Sequence, residues 1–213
     1  KKGHVLYTHT LIFHALNELS SIASHLNNTD NENELKSRAA IMKDTINHQF
    51  WNGTYYIDWI YKQHRQETFS VEGNLFAILF GLANDEQQQQ IINYINTNNV
   101  ISDYGLTAVH PKYKKSTIYG PFHLINLTDY HNGLIWFWLS CLAFVTLNRS
   151  NEDHLANKLI INMSTSIVTH GTMYEVYEKN GRPVNRLFYK SEKNFAWSAG
   201  LFVWAYNHMQ SSR

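Results

Sequence analysis

A chain of 213 residues with 44% hydrophobic content can bury one sizeable core, which predicts a single domain over 1–213. Its 18 Lys and Arg against 17 Asp and Glu leave a formal charge of +1, with no long-range field to gather nucleic acid or an acidic membrane surface. Aromatic residues reach 14%, with Trp 6, Tyr 13 and Phe 11, more than core packing ordinarily asks for and of the kind that lines sugar-binding clefts.

In chain order, Ile12, Leu16, Leu19, Ala23 and Leu26 recur in steps of four and three, predicting a first helix over 4–27 with one apolar stripe. A polar break at 27–30 separates it from a second stripe, Leu35, Ala39, Met42, Ile46 and Phe50, whose helix ends near Trp51. "WNGTYYIDW" carries an Asn-Gly turn and a run of aromatic and β-branched residues, suited to a short extended segment or hairpin arm. "SVEGNLFAILFGLA" and "DEQQQQIINYINTNN" read as a helical pair, Asp85 capping the second and Glu86 in its first turn. The glutamines at 87–90 are assigned to a solvated face.

From 100 to 127, Gly105, Pro111, Gly120 and Pro121 interrupt any helical period, leaving a loop of the length that usually carries function. The longest apolar run, "GLIWFWLSCLAFVTL", is broken by Ser140 and preceded by Asp129, His131 and Asn132. It reads as a buried helix at about 131–148 and falls short of a membrane span. The one cysteine, Cys141, lies within it as a buried small hydrophobe, so no disulfide can form within the chain. Leu155, Leu159, Met163 and Ile167 mark a further helix, and the last runs over about 193–210. Seven helices, mostly in antiparallel pairs, argue for an all-α array of hairpins. The start, "KKGHVLYTHT", has neither an initiator methionine nor a signal pattern, which suggests a fragment or processed piece; absent signals and one cysteine give a cytoplasmic expectation.

Polar and aromatic residues concentrate in three connections: "YYIDW", "DYGLTAVHPKY" running on to "TDYHNGLIWFW", and "GTMYEVYEKNGRPVNRLFYKSEKNFAWSAG". In a ring of hairpins every second connection opens on the same face, so the three are candidates to line one pocket. The last holds Glu175 and Glu178. Glu178 sits in "EKNG", a turn, and reads as a solvated charge. Asp58 and Asp129 are candidates for sugar binding or a substitute acid, set against caps or hydrogen-bond anchors. The 12 histidines, His131 included, are scattered without zinc-type pairing, so no metal site is expected. Trp136 and Trp197 lie nearest to helix starts and are the tryptophans expected to reach a ligand; Trp138 and Trp204 are assigned to packing.

"FWNGTYYID", "VEGNLFAILFGLA", "YGLTAVHPKY" with "DYHNGLIWFWL", and "YEVYEKNGRPV" with "FAWSAG" occur in an order that resembles the catalytic domain of amylo-α-1,6-glucosidase-type glycogen debranching enzymes. More broadly they resemble the six-hairpin (α/α)6 glycosidases, among them glucoamylase, trehalase and processing glucosidases, over about 50–205. Phe195 precedes "AWS" where debranching enzymes carry Gln, so the likeness to the superfamily is the fuller one.

The resemblance implies an (α/α)6 toroid, this chain giving its last six or seven helices, with short β-hairpins in the connections and no cofactor. It implies that Glu175, on the connection into the last helix, is the general base, and that the acid lies upstream of Lys1. Asp129, Tyr130, His131, Trp136, Tyr104, Tyr174 and Trp197 become the substrate-binding candidates, with Tyr174, Tyr177 and Trp197 around Glu175. A base acting at neutral pH must stay ionised, so hydrogen-bond donors are expected beside it. The implied reaction is inverting hydrolysis of α-glucosidic bonds in a glycogen- or starch-like polysaccharide, the other half of the barrel coming from missing N-terminal sequence or a second copy. The competing readings are a carbohydrate-binding or scaffold fragment without hydrolytic power, and a helical interaction array, against which the uneven connections count.

Overall fold

The computed structural model describes residues 3–211, and the chain divides into two compact units, Lys1–Tyr94 and Ile95–Arg213. The first unit opens with β1 (His4–Val5), α1 (Leu6–His25) and α2 (Thr29–Phe50). α1 and α2 pack as a hairpin across a short turn in which Asn27 takes a left-handed φ of 55° and the Asn28 side chain caps α2 by accepting from the Asn31 N–H. Ala39, Ile46 and Phe50 of the expected α2 stripe are buried.

The α1 stripe differs from expectation. Leu6, Thr10, Phe13, Leu16, Ser20 and Ala23 are buried, while Ile12, Leu19, Ile22 and Leu26 are exposed. α1 is apolar on two faces, so periodicity alone picks out a stripe but not which face the unit covers.

The "YYIDW" segment becomes β2 (Ile57–Tyr61), antiparallel to β3 (His64–Ser70) with Tyr61 opposite His64 and the tight turn at Lys62 in left-handed φ; β1 pairs with the other edge of β2. α3 (Val71–Leu79) follows and packs on α1. Gly73 allows that approach, since a Cβ there would lie 2.6 Å from Leu6 Cδ2. α4 (Asp85–Thr97) begins in the first unit and ends in the second.

The cap of α4 is Asn84 and not Asp85. Its Oδ1 accepts from the Gln87 N–H at 2.8 Å while Gln87 Oε1 accepts from the Asn84 N–H at 3.0 Å, a reciprocal capping box. Gln87 also leaves the solvated face assigned to it: its Nε2 donates to Asn47 Oδ1, which the buried Tyr56 hydroxyl reaches at 2.6 Å.

In the second unit, β4 (Val109–His110), a 3-10 turn at Lys115–Thr117 and α5 (Gly120–Leu124) structure the long connection. β5 (Ile135–Trp136) then leads into α6 (Phe137–Arg149), buried continuously from Phe137 through Leu147, with α7 (Asp153–His170) and α8 (Ala196–Ser211) packed on it. Between α7 and α8 lie β6 (Val176–Tyr177), β7 (Asn185–Arg186) and β8 (Tyr189–Lys190). Eight helices among the described residues carry the fold, α5 being the one the sequence did not suggest. The all-α expectation holds in part: helices carry the fold, and paired strands run through the connections, where short β-hairpins were expected. Cys141 is fully buried against Met163, and burial pushes its thiol far up. Among the described residues no helix is long and apolar enough to cross a membrane.

Candidate active site

The last connection is folded into strand-like layers because its backbone groups find partners on one another. β6 pairs antiparallel with β5, Val176 opposite Trp136 and Tyr177 opposite Ile135. The Glu175 N–H donates to the Glu192 carbonyl at 3.0 Å, and the Val176 N–H to Ser191 Oγ at 2.9 Å. The "EKNG" turn closes with the Gly181 N–H donating to the Glu178 carbonyl. Gly181 has φ 77° and lies under the Tyr104 ring, where a Cβ would come within 2.3 Å.

These constraints present a half-buried Glu175 to two tyrosines. The Tyr130 hydroxyl donates to one carboxylate oxygen and the Tyr189 hydroxyl to the other. Burial, reinforced by the hydrogen bond to Glu175, pushes the Tyr130 hydroxyl up to about 12; Tyr189 is raised further by the same causes. Both phenols stay protonated near neutrality, so towards Glu175 they act as donors. Tyr130 is itself buttressed. Its carbonyl accepts from Trp136 Nε1 at 2.9 Å, and its ring meets the edge of Trp136 at 4.9 Å. Trp136 is 4% exposed and stacks under His131, with rings 4.9 Å apart and 3° from parallel. It supports the site from beneath and does not itself present a surface to a ligand, contrary to the sequence expectation.

One positive charge holds the surrounding segments. Arg186 donates from Nε and Nη2 to the two Glu178 oxygens, both at 2.9 Å, and from Nη1 and Nη2 to the two Asp129 oxygens at 2.7 and 2.8 Å. Nη1 also donates to the Asn126 carbonyl at 2.8 Å. Burial alone would lift the Asp129 carboxyl, but the hydrogen bonds and charge of Arg186 outweigh it and hold it below the ordinary 3.8. Arg186 is raised in turn, first by its bond to Asp129. Glu178 is thus an ion-pair partner, not the solvated charge the turn suggested, and Asp129 has both oxygens occupied.

The other candidates disperse. Tyr174 gives its N–H to the Tyr177 hydroxyl at 3.0 Å and packs on the His170 and Tyr177 rings. Trp197, half exposed, stacks on Trp138 with rings 4.9 Å apart. Tyr104 and Tyr177 line a cavity of about 320 Å3 with Asn162, Ser166, His170 and Asn180, and Glu175 is not in its wall. Asp58 is fully buried in the first unit. Sequence reasoning brought Tyr130 to the site but missed Tyr189 and Arg186. "NRLFYK" gave no sign that its Arg and Tyr would face each other across a hairpin, as β7 and β8 place them.

Residues 1–211 match the sequence profile of a family described as amylo-alpha-1,6-glucosidase. Solabiose phosphorylase from Paenibacillus borealis is 26% identical over 226 residues, covering 96% of this chain and 28% of that protein. Among solved structures, GH63 mannosylglycerate hydrolase from Thermus thermophilus, in complex with glucose, matches with a TM-score of 0.70 at 13% identity, over 95% of this chain and 44% of its own. An uncharacterized conserved protein from the same organism matches at 0.71 and 13% identity, over 95% and 46%. At such identities the structural likeness shows a shared fold, that of the (α/α)6 glycosidases. The chain spans less than half the length of each of these relatives.

Proposed function

This chain belongs to the amylo-alpha-1,6-glucosidase family, and on that ground we propose that it carries the base-bearing half of a glycoside hydrolase active site, with Glu175 as general base. The reaction is inverting hydrolysis of α-glucosidic bonds in a glycogen- or starch-like glucan. The observation that carries this reading is the Glu175 carboxylate held from both oxygens by tyrosine hydroxyls. Each oxygen keeps a lone pair with which to accept a proton from water. The phenols fix the plane of the carboxylate without supplying a competing acid, because both keep their own protons. An inverting pair needs a gap of roughly 6.5–9.5 Å for the water, with the acid on the far side of the sugar. That acid, and the remaining helices of an (α/α)6 toroid, are assigned to polypeptide outside residues 1–213, in keeping with the share of its relatives that the chain spans.

A second reading, phosphorolysis, is favoured by the likeness to solabiose phosphorylase. Phosphate carries charge that a cation must meet. Among the described residues Glu175 forms no ion pair, and every N–H of Arg186 is already engaged by Glu178, Asp129 and Asn126. Lys112, however, stands close to Asp129 and Glu178 with Lys179 beside it, so a cation for phosphate is at hand and product analysis decides between the two nucleophiles.

The test is product analysis of the full-length enzyme on maltotriose and isomaltotriose, with and without inorganic phosphate. Release of β-glucose at a rate indifferent to phosphate is expected, read by NMR before mutarotation. Glucose 1-phosphate as product would establish phosphorolysis instead, and binding without turnover would establish a carbohydrate-binding role.

A further inference from the structure

Arg186 is 17% exposed and has all five of its N–H groups engaged, four by carboxylate oxygens and one by a backbone carbonyl. No donor is left for a sugar hydroxyl or a phosphate, so a direct part in ligand binding is closed to it. Its partners are nonetheless placed with a pattern. Asp129 is the chain neighbour of Tyr130. Arg186 faces Tyr189 across the β7–β8 pair. Glu178 lies three residues beyond Glu175, at the other end of β6. Each of three separate segments therefore gives one group to the ion cluster and one to the carboxylate contact.

We propose that Arg186 is the positioning residue of the Glu175 site, clamping Asp129 and Glu178 together so that the Tyr130 and Tyr189 hydroxyls are held on the two Glu175 oxygens. This rests on the reading of Glu175 as the base.

Two further observations make the clamp necessary. The hairpin that brings Tyr189 is built on strands of two residues each, and its tip is exposed, Leu187 at 89% and Phe188 at 65%. Such a short hairpin is not stable by itself and gains nothing from burial at its tip. Its base is tied to β6 through Val184, Ser191 and Glu192, while beyond that base Arg186 and Tyr189 supply its side-chain polar contacts. Without the guanidinium, Asp129 and Glu178 would also lose the group that bonds to both, leaving the nearby Lys112 charge to offset only part of their repulsion. That would drive apart the loop at 126–134 and the turn after β6, which together set the distance from Tyr130 to Glu175. A lysine cannot substitute, because one ammonium lacks the planar fork that meets two carboxylates in bidentate fashion.

The test is a double-mutant cycle in the full-length enzyme combined with amide hydrogen exchange. Arg186→Lys is expected to lower kcat by about 10–100-fold, the cost of a misplaced catalytic group, with KM changed less than kcat. On a Tyr130→Phe, Tyr189→Phe background the same substitution is expected to cost little more, since it acts through those hydroxyls. Exchange is expected to quicken together at 126–134 and 178–191 and nowhere else. Unchanged kcat with unchanged exchange, or an equal loss with the tyrosines already removed, would overturn the clamp. Should Arg186→Lys not fold, Glu178→Gln opens one side of the grip and enters the same cycle. Failure of the base reading shows separately, as full activity in Glu175→Gln, and the exchange arm still decides whether Arg186 holds the two segments.

Discussion

Tyr130 serves the site with two groups, its hydroxyl on Glu175 and its carbonyl on Trp136 Nε1. Tyr130→Phe is expected to lower kcat by about tenfold or more while costing the fold only about 1 kcal/mol, since one partly exposed hydrogen bond is lost and the ring remains. Steady-state kinetics beside a denaturant melt checks both. The titrations have opposite signs. The folded value of Tyr130 lies above the ordinary 10.0, at about 12, so its stabilising share is complete below pH 10 and is lost as pH rises through about 12. The folded value of Asp129 lies below 3.8, so its share is complete above that pH and is lost as pH falls through the depressed value. Absorbance of tyrosinate during alkaline unfolding, and the acid limb of a melting-temperature profile compared with Asp129→Asn, read the two windows. The sequence singles out Glu175 only through the family resemblance, as the carboxylate on the connection into the last helix. Its donors were only half legible, because Tyr189 reaches it through a turn whose geometry no local pattern in "NRLFYK" encodes.

Among the elements, long helices with a single apolar face were legible and their edges less so. α6, apolar over its whole length, had to be a buried helix, yet the residues leading into it, Ile135 and Trp136, form β5 because their backbone pairs with β6, distant in sequence. α1 misleads for the opposite reason, having two apolar faces. The nearest acid suggests itself as the cap of α4, whereas the reciprocal bonds of Asn84 and Gln87 decide it. Asn84→Ala is therefore expected to destabilise the protein by about 1 kcal/mol and Asp85→Ala by clearly less, as denaturant midpoints would show. β3 escapes notice because "HRQETFS" alternates poorly; it is strand because β2 supplies the register.

At the scale of the whole molecule, large apolar side chains stand exposed on two helices, Ile12, Leu19 and Ile22 on α1 with Leu26 at its end, and Trp197, Val203 and Tyr206 on α8. If polypeptide outside residues 1–213 completes a toroid over them, Leu19→Lys should cost the full-length enzyme about 2 kcal/mol or more, as burial of a leucine would, and leave the isolated chain within about 0.5 kcal/mol. Thermal melts of the two forms compare these directly. Composition alone could not divide the tyrosines between packing, as for Tyr56 and Tyr177, and the Glu175 contacts, as for Tyr130 and Tyr189. The most direct measurement is hydrolysis by full-length enzyme carrying Glu175→Gln, which keeps the shape of the side chain and removes its capacity as a base. Turnover is expected to fall by about 10²–10⁴-fold with the circular dichroism and melting temperature preserved. Turnover within a few-fold of the unaltered enzyme, in a protein equally well folded, would contradict the assignment of Glu175.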